Sequence, residues 1–206
     1  MEHTVITIAR SFGSGGKTLG KLLAQELGVH CYDREILRMA SEESGINEAL
    51  FGEADEKLKS MPLFRISKKI YKGEVFPPDS DEFISDSNLF NYQAKCIKEL
   101  AKTESCVIIG RCADYVLKDY DNVIKLFFYA PKEDCIARVK AQNGGTEKDI
   151  IKKIEKTDKY RSEYCKYHTG RDWNDARNYD FCLNTTSMSY EKLVEVVKEY
   201  INICKK

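Results

Sequence analysis

A strand-like run, three glycines and a helical pattern follow one another at the start of the chain, in Thr4-Val-Ile-Thr-Ile-Ala-Arg-Ser-Phe-Gly-Ser-Gly-Gly-Lys-Thr-Leu-Gly20. No other segment limits the choice of fold so strongly. The β-branched run asks to be a buried strand. The chain must then turn into a helix through residues that tolerate positive φ and let backbone N–H groups close on anionic oxygens. Gly13, Gly15 and Gly16, with Ser14 between them, meet that need. The helix presents its positive end, Lys17 adds a full charge, and the Thr18 hydroxyl is placed to ligate a phosphate-bound Mg²⁺. The pattern G-x-x-x-x-G-K-[ST] fits incompletely. Registered on Gly16-Lys17-Thr18 it demands glycine at Ser11; registered on Gly15 it demands glycine at Arg10 and lysine at Gly16. A glycine-rich strand-to-helix turn without a ligand is the plain alternative.

A chain of 206 residues can bury one substantial core with a small subdomain. Lys plus Arg and Asp plus Glu number 33 each, so no global basic field argues for nucleic acid or an anionic membrane, and any anion site must be local. The N-terminal residues lack a basic region followed by an apolar one, and no apolar run approaches membrane-spanning length, so a cytoplasmic protein is expected. The eight cysteines are scattered, without a C-x-x-C pair or metal-ligand spacing, and read as reduced thiols.

Strand-like runs fall at Val5–Ile8, Cys106–Ile109, Val123–Tyr129 and Tyr179–Leu183, with a weaker one at Val29–Tyr32. Helical periodicity lies between them: Leu19, Leu22, Leu23 and Leu27 share one face of a helix stopped by Gly28, and further helices are expected at Arg34–Ser44, Phe90–Lys102, Lys132–Lys140, Glu147–Tyr167 and Tyr190–Cys204. Alternating strands and helices predict an α/β fold with a parallel sheet flanked by helices and a ligand beyond the carboxyl ends of the strands. The segment Glu53–Ser87, with Pro62, Pro77, Pro78 and an acidic patch, reads as an irregular, mobile insertion. Gln142–Arg171, with Gly144-Gly145 as a hinge and a charged helix of little apolar face, reads as a solvated surface helix or as a lid that excludes water.

With the loop, Asp33-Arg34, Gly110-Arg111, Asp158-x-x-Arg161 and Asn184-Thr185-Thr186 in view, the chain resembles the P-loop nucleoside monophosphate kinases, and most closely their cytidylate kinase-like branch. The resemblance runs nearly the length of the chain, through Leu22–His30, Cys31-Tyr-Asp-Arg-Glu-Ile36, Gln93, Val107–Arg111 and Tyr179–Thr186. It implies a P-loop NTPase fold with a five-stranded parallel sheet. A core of 1–33, 103–140 and 172–206 would carry a monophosphate-binding insertion at about 34–102 and a lid at about 141–171. It also implies ATP and Mg²⁺ as cofactors and small nucleotides as substrates, with no nucleic acid and no membrane partner. Three departures stand out. Relative to the bona fide cytidylate kinases, their loop lysine falls on Gly16 in an ungapped alignment, Cys112 stands where their cytosine-reading aspartate stands, and the lid keeps only the second half of Arg-Asp-x-x-Asp-x-x-Arg. A separate cytidylate kinase-like branch, with Gly-Ser-Gly-Gly followed by a basic residue and Tyr-Asp-Arg-Glu, fits better.

Phosphoryl transfer asks a protein for positioning and for positive charge around shared oxygens. Arg111, after an apolar strand and Gly110, could fork onto an acceptor phosphate or form a structural salt bridge. Asp33 could orient the acceptor or bind Mg²⁺ through water, or simply cap the next helix; Arg34 joins it on the substrate side by the resemblance. Arg161 reads as a finger supplied in cis beside Asp158, which is itself expected on the substrate side, or as half of an i,i+3 ion pair with it. Lys17, Arg111 and Arg161 are the expected catalytic set, and Arg138 and Arg171 are weaker candidates. Tyr160, Tyr164, Tyr167 and Trp173 read as packing. Three functions fit: a nucleoside monophosphate kinase with CMP or dCMP as acceptor, a kinase of a small metabolite, or a nucleotide-binding regulatory module without turnover.

Overall fold

The computed structural model describes residues 3–60 and 70–204, the side chains of 55–60 excepted. Five strands form one parallel sheet: β1 (Val5–Arg10), β2 (His30–Tyr32), β3 (Cys106–Ile109), β4 (Val123–Tyr129) and β5 (Phe181–Asn184), in the order β2-β3-β1-β4-β5. Between and after them lie helices α1 (Gly16–Leu27), α2 (Glu35–Ser44), α3 (Glu48–Ser60), α4 (Asp86–Thr103), α5 (Ala113–Val116), α6 (Lys132–Asn143), α7 (Glu147–Thr169) and α8 (Tyr190–Cys204).

Successive strand residues point to opposite faces, and the core divides accordingly. Ile6, Ile8, Val107, Ile109, Ile124, Leu126 and Phe128 pack with Leu19 and Leu23 of α1 and Leu193, Val197 and Ile201 of α8. Val5, Cys106, Ile108 and Val123 face the other way, onto Phe90, Ile97 and Leu100 of α4 and Ala113 and Val116 of α5. Strands buried on both faces explain why their sequences read as continuous apolar runs rather than alternating ones. The central strand β1 is flanked by β3 and β4, in register from Val5 opposite Cys106 and Val123. Its loop therefore opens where the sheet order reverses, the usual place for a ligand.

The expected elements are all present, with shifted ends. The region expected to be irregular from Glu53 is helical in α3 up to Ser60, and Pro62 lies outside the described residues. Helix α4 begins one turn before Phe90, because Ser85 caps it by accepting a hydrogen bond from the Asn88 N–H (3.3 Å). The short helix α5 was not foreseen. Nor is α7 merely solvated: Ile150 and Ile154 pack on Cys135 and Val139 of α6, and Tyr164 and Cys165 enter the main core.

Candidate active site

The glycine loop turns as its composition dictates. Gly13 and Gly15 take φ of 81° and 82°, and Gly15 is the N-cap of α1. A methyl group at Gly13 would meet Cβ of Cys135 at 2.9 Å, and one at Gly15 would overlap the Tyr190 hydroxyl. The Ser14 hydroxyl donates to the Ser11 carbonyl (2.9 Å) and accepts from the Gly16 N–H (3.3 Å). The Ser14 carbonyl accepts from Arg138 Nη1 (2.9 Å) and from the Thr185 hydroxyl (2.6 Å), while Arg138 Nη1 also donates to Thr185 Oγ1 (2.9 Å). Arg138 and Thr185, just after β5, thus brace the loop from behind.

A cavity of about 1210 Å³ opens beside this loop, walled by the carboxyl ends of β1 and β3, the start of α2, and α3 and α7. Its wall carries seven cationic side chains (Arg10, Lys17, Arg34, Arg111, Lys153, Lys156, Arg161) against four acidic ones (Asp33, Glu48, Glu53, Asp114). A chain with balanced charge has gathered an excess of cations at one place.

Lys17 Nζ lies 2.7 Å from Asp33 Oδ2. Burial alone would raise the Asp33 pKa, but the Lys17 hydrogen bond and charge, with Arg10 and Arg111 nearby, hold it below the usual carboxylate range. The helix that Asp33 was expected to cap has Arg34 at its N-cap without a side-chain capping bond. Arg111 and Cys112 adopt φ of 58° and 52°, directly after Gly110 at 79°. Left-handed backbone costs non-glycine residues about 1–2 kcal/mol each. The turn between β3 and α5 therefore holds Arg111 at the cavity wall against local strain.

Helix α7 comes down onto the loop through Asp158 and Arg161. Asp158 Oδ1 accepts from the Phe12 N–H (2.8 Å), and Arg161 Nη1 donates to Asp158 (3.2 Å) and to the Arg10 carbonyl (2.8 Å). The foreseen i,i+3 pair exists, but both partners also grip the loop. Burial raises the Asp158 pKa despite Arg161, and burial lowers that of Arg161 despite Asp158. The aromatic residues pack as expected, although Tyr160, Tyr164 and Trp173 also face the cavity. Arg171 lies over the Tyr115 ring, 4.8 Å from its centroid.

The match to known proteins is broad. The model of the cytidylate kinase-like family matches residues 5–187. The chain belongs to the cytidylate kinase-like family. A cytidylate kinase from Pyrococcus horikoshii is 28% identical over 203 residues, covering 98% of this chain and 90% of that protein. An uncharacterized protein from Eubacterium ventriosum has a crystal structure similar at TM-score 0.70 and 26% identity, over 97% of this chain and 99% of that one. A shikimate kinase from Bacteroides thetaiotaomicron shares the fold alone, at TM-score 0.54 and 14% identity over 97% and 98% of the two chains. The fold is that of the P-loop kinases, and the family implies phosphotransfer with ATP.

The donors around the loop fit a nucleotide-borne Mg²⁺ better than a protein-held metal. Among the described residues no group of three His, Cys, Asp or Glu side chains could hold an ion. Thr18, exposed on the first turn of α1, and Asp33 beside Lys17 supply one or two hard oxygens next to a phosphate cradle. Mg²⁺ bound mainly by phosphate and water needs no more. Among the described residues no helix is long and apolar enough to cross a membrane.

Several participants escaped sequence reasoning. Arg10 was noticed only as the wrong residue for a glycine, yet it lines the cavity. Tyr190 carried no signal, since its contact with Gly15 joins the first and last helices.

Proposed function

We propose that this protein transfers the γ-phosphoryl group of ATP to a nucleoside monophosphate, with CMP or dCMP as the acceptor. The observation that carries this reading is the cavity between the glycine loop and Arg111, closed above by Arg161, in a chain of the cytidylate kinase-like family.

The acceptor's phosphate oxygen is already ionised near neutral pH, so no general base is required. It forms the new P–O bond as the bond from the γ-phosphorus to the β–γ bridging oxygen breaks, and ADP leaves with the electron pair. The chain then has to position and to offset charge. In this reading the amides of Gly13, Ser14, Gly15 and Gly16 cradle the triphosphate, Lys17 adds charge between donor and acceptor, and Arg111 forks onto the acceptor phosphate. Asp33 and Arg34 orient the acceptor. Asp158 holds α7, the lid, on the loop, and Arg161 brings its guanidinium to the phosphoryl group in flight. Thr18 would hold Mg²⁺, which neutralises charge on the triphosphate when bound.

A metabolite acceptor is the second reading, supported by Cys112 standing where the bona fide cytidylate kinases carry their base-reading aspartate. The carboxylate at this wall is instead the buried Asp114, its pKa raised to about 6 by burial. ADP release from Mg-ATP against all nucleoside monophosphates and a metabolite panel separates the two. CMP turnover that falls about 10²-fold or more on Arg111→Ala is expected. Turnover with a metabolite alone replaces the acceptor, and tight ATP binding with no turnover at all replaces the enzyme by a sensor.

A further inference from the structure

The strict phosphate-loop pattern puts glycine at position 10 and lysine at position 16, and this chain carries Arg10 and Gly16. The structure explains the reciprocity. Strand β1 ends at Arg10, α1 begins at Gly16, and a Cβ at position 16 would lie 2.6 Å from Cβ of Arg10, 3.1 Å from its Cγ and 3.2 Å from Cβ of Phe128. Real Cβ atoms essentially never approach to 2.6 Å, and shortening Arg10 to alanine would leave the same Cβ in place. One side chain, from one of the two positions, can enter this space.

The side chain that enters is Arg10. It reaches from the end of β1 to Gly110, where Nη1 would stand 2.5 Å from an added Cβ, and its Nε is sealed from solvent without a hydrogen-bond partner among the described residues. Burial first, then the charges of Arg161 and Arg111 against the opposing pull of Asp33, bring its pKa down to about 9. A buried guanidinium with an unanswered N–H and two like-charged neighbours is costly in an empty cavity. An anion with several oxygens is the chemistry that answers all three. The ammonium of Lys17 is meanwhile engaged by Asp33.

We propose that Arg10 replaces the missing loop lysine, gripping the terminal phosphoryl group of the bound triphosphate from the position-10 side of a space that lysine enters from position 16. This rests on reading the chain as an ATP-dependent phosphotransferase. Lys17 then serves the acceptor side of the cavity with Asp33.

The test uses the full chain with Arg10→Met, Arg10→Lys, Arg10→Gly and the double variant Arg10→Gly/Gly16→Lys, which restores the glycine and the lysine of the strict pattern and leaves Lys17 at its Ser/Thr position. Calorimetric titration with Mg-ATP, Mg-ADP and inorganic tripolyphosphate is read beside a thermal melt of each protein. Arg10→Met is expected to weaken ATP and tripolyphosphate roughly 30- to 100-fold while ADP changes little, as loss of a charge-assisted contact to the terminal phosphate requires. Arg10→Lys, which keeps a charge, should lose less than Arg10→Met. The double variant should recover at least about tenfold over Arg10→Gly, a rescue that a merely structural Arg10 would not allow. Wild-type affinity in Arg10→Met, equal losses for ATP and ADP, or no rescue in the double variant overturns the proposal. Arg10-dependent binding beside a blank acceptor panel overturns the proposed function alone. A wild-type protein that binds neither ATP nor tripolyphosphate overturns both.

Discussion

At the scale of single residues, the two ends of α1 show two different reasons for glycine. Gly28 ends α1 at φ 65° with nothing within 4 Å of an added Cβ, so it is there for its backbone alone. Gly15 has a similar φ of 82° and, in addition, the Tyr190 ring against the place where a methyl group would go. Gly28→Ala should therefore cost about 1 kcal/mol, and Gly15→Ala about 2 kcal/mol or more. Denaturant titration of both variants measures the difference. In a chain of this length the second loss lowers the melting temperature by roughly 4–8 °C. Equal losses would show that the Tyr190 contact carries no weight.

At the scale of elements, α7 decides how the cavity is closed. Its Asp158 is the acceptor for the Phe12 N–H, so Asp158→Ala should free the loop from the helix and leave the charge of Arg161 without its neighbour. The expected result is a rise in the ATP KM of about tenfold or more, seen in steady-state assays, with a smaller effect from Asp158→Asn, which retains an acceptor oxygen. The far end of the same helix is held differently. His168 stacks on Phe90 at 4.0 Å and 12°, and burial lowers its pKa to about 3. Above pH ~6.5 both folded and unfolded forms are neutral; below it the unfolded chain takes a proton that the folded one refuses until about pH 3. Stability attributable to His168 is therefore lost as the pH falls through that window, approaching ~1.4 kcal/mol per unit. Asp114 acts in the opposite sense between about pH 6 and 4, since its raised pKa lets the folded form bind the proton first. Comparison with His168→Phe isolates the histidine: the wild-type advantage should shrink by about 2 kcal/mol between pH 7 and 5 in denaturant titrations. The behaviour of α7 also marks the limit of sequence reading. Its abundant Lys and Glu hid the sparse apolar positions Ile150, Ile154, Tyr164 and Cys165, whose burial follows from tertiary neighbours rather than from a strong periodic stripe. The strands were legible because both faces are buried, and the loop because glycine spacing is local. The contacts of Arg138 and Thr185 with Ser14 join residues 124 and 171 positions apart and had no local trace.

At the scale of the whole molecule, all eight cysteines are free thiols, and only Cys204 is fully exposed, while burial pushes Cys31 and Cys96 up to about 11 and Cys106 up to about 12. Iodoacetamide at pH 8 should therefore label the native protein at Cys204 far ahead of the others. Mass mapping of peptides checks this, and fast labelling of Cys106 would contradict the packed sheet. The same packing shapes descent. The clearance between β1 and the start of α1 admits one Cβ, so a lineage carrying Arg10 cannot acquire lysine at 16 without overlap, and one with glycine at both positions carries no cation there. Passage between the two loop types takes two coupled substitutions with a disabled intermediate. Among relatives, residues 10 and 16 should be inherited as a pair, either arginine with glycine or glycine with lysine, and the mixed combinations should be missing from alignments.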